Sequence, residues 1–411
     1  MAFYDQLEAR DQAAREAHLR EALPAQIHNA QQNSPAFARI LAGIDPATVT
    51  SRADLARLPI TRKAALLDSQ HQHPPFGGLT TVAVGELAQV FQSPGPIYDP
   101  EARRPDYWRL ARALFAAGFR PGELIHNTFS YHFTPAGSML ATGAQALGCA
   151  VFPAGIGQTE LQVKAIADLK PHGYVGTPSF LKIILDKAAE LNADVSSITK
   201  ALVTAEALPP SLREEFNVRG IQVLQCYATA DLGLIAYESS AIEGMIADEG
   251  VLVEIVRPGT GDPVSEGEVG ELVITTFNPD YPLIRFATGD LSAILPGISP
   301  CGRTNTRIKG WLGRADQTTK VRGMFVRPSL IAEVLKRHPL ILKGRLVIDQ
   351  VNYQDVMTLH CEVADPIDSN EQQAVAASIR DVCKLRGELE FVAPGSLPND
   401  GKVIDDVRRY E

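Results

Sequence analysis

At 411 residues the chain exceeds one ordinary domain and implies two or three units. A content of 45% hydrophobic and 21% charged residues suits a buried globular core, and a net charge of −9 with no Lys/Arg run argues against a nucleic-acid partner. No apolar stretch approaches a membrane span, so no membrane partner is expected, and Met1-Ala-Phe-Tyr-Asp-Gln-Leu-Glu8 lacks the basic and apolar parts of a secretory signal. The five cysteines (Cys149, Cys226, Cys301, Cys361, Cys383) are scattered and form no Cys-x-x-Cys pair, so reduced thiols in a cytoplasmic protein are expected.

Residues 1–75 read as a mostly helical lead-in, ending near Leu58-Pro-Ile-Thr-Arg-Lys63. From about residue 86 strands and helices alternate. Leu87-Ala-Gln-Val-Phe91 is a short apolar strand and Ser93-Pro-Gly-Pro96 a loop. Tyr107, Leu110, Ala111, Leu114 and Phe115 then recur at helical spacing up to Gly118. Strand 124–127, helix 135–147, strand 149–152, helix 158–169 and strand 174–176 follow. Helix 178–190, strand 201–204, helix 209–216 and strand 221–225 complete the run. This alternation predicts an α/β fold with a parallel sheet and helices on both faces. After about residue 240, strands 251–256, 271–276 and 283–286 predict a small antiparallel or barrel-like sheet. Beyond residue 316, helix 328–337, strands 343–349 and 356–363, helix 370–385 and strand 388–392 predict a compact α+β unit.

Chemistry in open α/β sheets gathers where strands end in loops. Four loops stand out: 92–98, 204–208, 226–233 and 287–291. In Cys226-Tyr-Ala-Thr-Ala-Asp231-Leu-Gly233, Tyr227 offers a stacking face and Asp231 a metal-binding carboxylate; on sequence alone the same residues read more readily as a capped turn into a helix. Asp290 follows an apolar strand and suits vicinal ribose hydroxyls, or an ordinary Asx-turn. His132 reads as a base, a gate or a structural histidine. Gly155-Ile-Gly157 lacks the spacing of a nucleotide loop. No Gly-x4-Gly-Lys-Ser/Thr loop and no Gly-x-Ser-x-Gly elbow occurs, which excludes a P-loop NTPase and weighs against a serine hydrolase.

Taken in order, Tyr281-Pro-Leu-Ile-Arg-Phe-Ala-Thr-Gly-Asp290, Gly313-Arg-Ala-Asp316, Lys320-Val-Arg322-Gly323 and Gly401-Lys402 resemble the adenylate-forming ligases. Leu58–Lys63, Thr-Pro-Ser at 177–179 and Val321-Arg-Gly-Met-Phe-Val-Arg-Pro-Ser329 are most similar to the phenylacetate–CoA ligases. The resemblance runs from Leu58 to Lys402. It implies an aryl or arylacetic acid activated by Mg-ATP as acyl-AMP and then passed to coenzyme A. The alternatives are a protein that only binds AMP or acyl-AMP, or one that acylates a carrier-protein thiol. It further implies an adenylate-binding domain over 1–315 and a small mobile lid over 317–411, hinged at Asp316. A homodimer is left open.

Residue by residue, the resemblance assigns Thr204, Ala205 and Glu206 to the adenine, and Tyr227, with Ala228 and Thr229 beside it, to packing on the base. It assigns Asp231 to Mg²⁺, Asp290 to the ribose, Arg314 and Lys320 to the nucleotide, and Lys402 to the substrate carboxylate and α-phosphate. Phe129, Tyr131, His132 and Phe133 would line the aryl pocket. Three departures stand out. The family's phosphate loop, Ser-Ser-Gly-Thr-Thr-Gly-Lys-Pro, reads Gln92-Ser-Pro-Gly-Pro-Ile-Tyr98. Ser93 and Gly95 remain, but the threonines and the lysine are gone and two prolines remove donors, so ATP is expected to gain little over AMP. The family glutamate is Asp231, one methylene shorter, preceded by Ala230. Glu238-Ser239, Gly244-Met245 and Ser299-Pro-Cys301 replace a cysteine/histidine set found in some relatives, so no structural zinc is expected.

Overall fold

The computed structural model describes residues 2–93, 96–315, 317, 319–321, 324–351 and 354–408. Pro94, Gly95, Asp316, Arg322, Gly323 and the Lys320 side chain, all named above, lie outside the described residues. The chain divides into two compact units: 1–253 with 274–286 and 295–311, and 254–273 with 287–294 and 312–411.

The first unit is built on a nine-stranded sheet. Ala150–Pro153, Leu124–Asn127, Gly173–Gly176, Lys200–Val203 and Gln222–Thr229 run parallel in that spatial order. Gly233–Tyr237 and Met245–Ala247 then continue it antiparallel. The period of two along each strand splits the core. Ile125, Val175, Leu202 and Leu224 pack with Leu110, Met139, Leu140 and Ala144, from helices Leu110–Ala116 and Ala136–Ala146. Their alternates Tyr174, Ala201, Val203 and Val223 pack with Val163, Ile166, Leu181, Ile184 and Phe216, from three other helices. A sheet covered by helices on both faces is the arrangement that the apolar strand runs predicted.

Three local readings are corrected. Strand 221–225 continues to Thr229 and reverses into Gly233–Tyr237, so 226–233 is a β-hairpin and not a turn into a helix. Gly233 permits the reversal, with φ +72. The helix expected from Tyr107 starts at Leu110, because Asp106 and Arg109 hold left-handed backbone ahead of it. The strand expected over 283–286 is Phe286–Ser292, with Arg285 left-handed just before it, so Asp290 lies within the strand.

In the second unit, residues 312–411 carry a four-stranded sheet ordered Glu388–Val392, Gln354–Val363, Ile341–Val351, Ile404–Asp406. The central pair is an antiparallel hairpin and the outer strands pair parallel to it. Helices Pro328–Lys336 and Ser369–Cys383 bury Ile331, Val334, Val375 and Ile379 against Leu346, Ile348 and Leu359. The Ile404–Asp406 strand was not legible in the sequence, and it holds Lys402 two residues before its start.

Candidate active site

In the first unit the functional loops leave the carboxyl ends of neighbouring parallel strands. Thr204 follows Val203, and its Oγ donates to the Cys226 carbonyl at 2.7 Å, tying two strand ends together. Ala205 holds φ +70, and the Glu206 carboxylate accepts from the Ser179 amide at 3.4 Å. Tyr227 is half-buried on the hairpin strand, with Ala228 and Thr229 after it, and the Thr229 hydroxyl accepts from the Leu232 amide at 3.2 Å.

The segment after Leu124–Asn127 is held tightly. Asn127 Nδ2 donates to the Tyr131 hydroxyl at 2.8 Å and to the Gly137 carbonyl at 3.0 Å. A Cβ on Gly137 would stand 2.5 Å from the Ser130 carbonyl oxygen, so only glycine admits this approach. Burial pushes the Tyr131 phenol up to about 12, so it stays neutral. Phe129 is buried in the core with Leu140 and Phe91, whereas Phe133 is 77% exposed. His132 is exposed, and its amide donates to Ser130 Oγ at 3.1 Å.

Asp231 has a buried side chain, and Lys63 Nζ donates to its Oδ2 at 2.5 Å. Its Oδ1 has no hydrogen-bond partner among the described residues. Asp99, fully buried on strand Ile97–Ala102, has no hydrogen bond at either oxygen among the described residues. Burial and the Asp231 charge raise it well above the usual carboxylate range. Among the described residues no group of three or more His, Cys, Asp and Glu could hold a metal. Magnesium seldom needs such a cage: one or two carboxylates with substrate phosphates suffice, and the spare oxygen of Asp231 fits that role. Ser93 ends strand Leu87–Ser93, which pairs antiparallel with Ile97–Ala102, so Gln92, Ser93, Ile97 and Tyr98 of the expected loop lie on strands.

In the second unit Asp290 Oδ1 accepts from Arg314 Nη1 at 2.8 Å. The two residues also form an antiparallel backbone bridge. Arg314, Gln317, Lys402 and Asp405 line a cleft of about 320 Å³. Lys402 Nζ donates to Asp405 Oδ1 at 2.8 Å. Burial would raise Asp405, but Lys402 and Arg345 outweigh it and hold the carboxyl below its ordinary value. Gln317 clamps this loop: its Oε1 accepts from the Val403 and Ile404 amides at 2.6 and 2.8 Å, and its Nε2 donates to the Gly401 carbonyl at 3.1 Å.

Sequence reasoning missed four positioning residues. Gln317 carried no signal. Asp99, one residue past the loop given as 92–98, was not singled out. Lys63 was quoted within a motif but given no role. Arg285 is 2% exposed, and its guanidinium donates to the Ala56 and Leu58 carbonyls, each at 2.7 Å. An arginine inside the apolar run Leu283-Ile-Arg-Phe286 was the signal that could have found it.

The family model described as "AMP-binding enzyme" matches residues 109–278. The phenylacetate–coenzyme A ligase of Thermus thermophilus is 31% identical, with 97% of each chain covered. The phenylacetate–coenzyme A ligases of Pseudomonas putida and Escherichia coli are 31% and 29% identical, covering 98% and 92% of this chain and 95% and 90% of theirs. The fold also matches a crystal structure of 2-hydroxyisobutyryl-CoA ligase with 2-HIB-AMP and CoA, at TM-score 0.72 and 24% identity over 96% of this chain and 91% of that one. The chain belongs to the phenylacetate–coenzyme A ligase family of AMP-binding enzymes.

Proposed function

We propose that this ligase acts on an aromatic acid of the arylacetate type, with the residue roles set out below. The enzyme joins a carboxylic acid to coenzyme A through acyl-AMP, using ATP. The relatives named for phenylacetate carry the substrate reading, since the two at 31% identity span nearly the whole chain.

The acid's carboxylate attacks the α-phosphate, pyrophosphate leaves, and the coenzyme A thiol then displaces AMP from the acyl carbon. Tyr227 and the 204–206 segment hold the adenine. Asp290 accepts from the ribose hydroxyls, which its strand position and its pairing with Arg314 support. Lys402, on a loop stiffened by Gln317, stabilises charge at the α-phosphate. Magnesium, when bound, neutralises phosphate charge, and Asp231 is the residue that orients it. Tyr131, held by Asn127, presents an aromatic face to the acid. Residues 317–411 move as the lid between half-reactions, about a hinge at Asp316. A cytoplasmic setting suits these cosubstrates and five free, buried thiols.

The test is pyrophosphate release with a panel of aryl, arylacetic and aliphatic acids, with and without coenzyme A. Release should require an arylacetic acid, and AMP and thioester should accumulate once coenzyme A is added. A preference for aliphatic acids would overturn the substrate. AMP binding without pyrophosphate release for any acid would overturn adenylation in favour of a nucleotide-binding protein.

A further inference from the structure

The phosphate loop at 92–98 contains no lysine or arginine, yet ATP brings its β- and γ-phosphates to an adenylating site. Lys63 is built into the structure beside that loop. Two anchors bracket its segment. Upstream, Arg285 binds the Ala56 and Leu58 carbonyls, and the Thr61 amide donates to the Arg285 carbonyl at 3.0 Å. Downstream, the Gln70 amide makes both available bonds to the Tyr98 backbone, donating to its carbonyl and accepting from its N–H, each at 2.8 Å. Tyr98 is on the strand that closes the phosphate-loop hairpin. Between these anchors Lys63 reaches Asp231, and its charge is also felt by Asp99.

Lys63 is hydrogen-bonded to Asp231 alone, since burial and the Asp231 charge favour the protonated form of the neighbouring Asp99, and the second oxygen of Asp231 lacks a hydrogen bond among the described residues. The Lys63 side chain keeps 29% exposure whereas that of Asp231 has none, so solvent reaches the lysine side chain and not the carboxylate. A lysine is a compact charge on a flexible stem and can turn from one oxygen partner to another.

We infer that Lys63 is the phosphate-binding cation of the adenylation step, replacing the lysine absent from the loop, and that its pair with Asp231 is the resting position it leaves when ATP binds. This rests on the nucleotide-activating reading above. Lys63 thereby offsets the donors that the two prolines remove, and ATP binds more tightly than AMP. The gain is specific to the outer phosphates.

The experiment is paired calorimetric titration of AMP and ATP, in EDTA and in magnesium, for the wild type, Lys63→Met, Lys63→Arg, Asp231→Asn and the Asp231→Asn/Lys63→Met pair. Lys63→Met should weaken ATP at least tenfold and leave AMP within about twofold, the scale of one charge-assisted bond. Lys63→Arg should recover part of that loss. In EDTA, Asp231→Asn frees Lys63 and should tighten ATP, and adding Lys63→Met should cancel the gain. The last comparison holds even if Lys63→Met alone does not fold, because the pair removes both members of the buried contact. Pyrophosphate release should fall with ATP affinity, while thioester formation from supplied acyl-AMP persists. AMP and ATP weakening together, or neither changing, would make Lys63 a structural counter-ion and overturn the inference. A wild type that binds neither nucleotide would overturn the underlying reading instead.

Discussion

Replacing Asp290 with Asn separates nucleotide binding from folding, because the two effects differ in size. The ion pair with Arg314 is short, 2.8 Å, but the Arg314 side chain is 56% exposed. Solvent screening limits such a pair to about 0–1 kcal/mol. The Arg314 backbone keeps its place without that charge. It bridges Asp290, with the Leu291 amide donating to the Gly313 carbonyl at 2.9 Å and the Ala315 amide to the Gly289 carbonyl at 2.8 Å. Stability should therefore change by less than about 1 kcal/mol. The ribose loses a charge-assisted acceptor, which costs about 1.5–3 kcal/mol, or about 10- to 150-fold in affinity. Calorimetric titration of AMP beside urea unfolding of the same variant reads both quantities. AMP affinity equal to wild type would remove Asp290 from the site. Affinity and stability lost in proportion would show that Asp290 acts through the fold.

Lys402→Ala should slow pyrophosphate release by about 10²-fold while thioester formation from supplied acyl-AMP survives, and equal loss in both half-reactions would refute a role confined to adenylation. Gly233→Ala forces a side chain into left-handed backbone, φ +72, with its Cβ 2.7 Å from the Trp108 carbonyl oxygen. It should cost about 1–3 kcal/mol in chemical unfolding and weaken AMP binding through the hairpin that carries Tyr227. Burial pushes Asp106 up to about 7, above the roughly 4 of an unfolded aspartate, so the folded chain holds this proton more tightly. Its contribution to stability is then fullest below about pH 4 and is lost as pH rises to about 7; Asp106→Asn should flatten that part of a plot of Tm against pH, and an unchanged slope would refute it.

The α/β architecture was legible because buried parallel strands read as apolar runs and their helices repeat at 3.6 residues. Strand–helix alternation from Leu124 to Val218 depends on those local periods, and its boundaries fell within a few residues. The loops were harder. Nothing local distinguishes a strand that stops at Gln225 from one that runs to Thr229 and reverses, since the reversal depends on Gly233 closing against Trp108. Asp290 was expected after a strand and lies inside one, because Thr-Gly-Asp has low strand propensity and is held there by pairing with distant segments.

The candidate site divides in the same way. The order of short motifs along the chain pointed to Tyr227, Asp231, Asp290, Arg314 and Lys402, since each motif is local. Their electrostatic partners are not local. Lys63 and Asp231 are 168 residues apart, Arg314 and Asp290 are 24 apart, and the Gln317 side chain holds backbone 86 and 87 residues away. By itself the sequence determined the fold class and the family and singled out the residues proposed to bear the chemistry, because propensity, periodicity and motif order act over a few residues. Only the tertiary structure decided which charges meet, which carboxylates are buried without partners and which loops are pinned, because Coulomb energy and desolvation depend on distance through space and not along the chain.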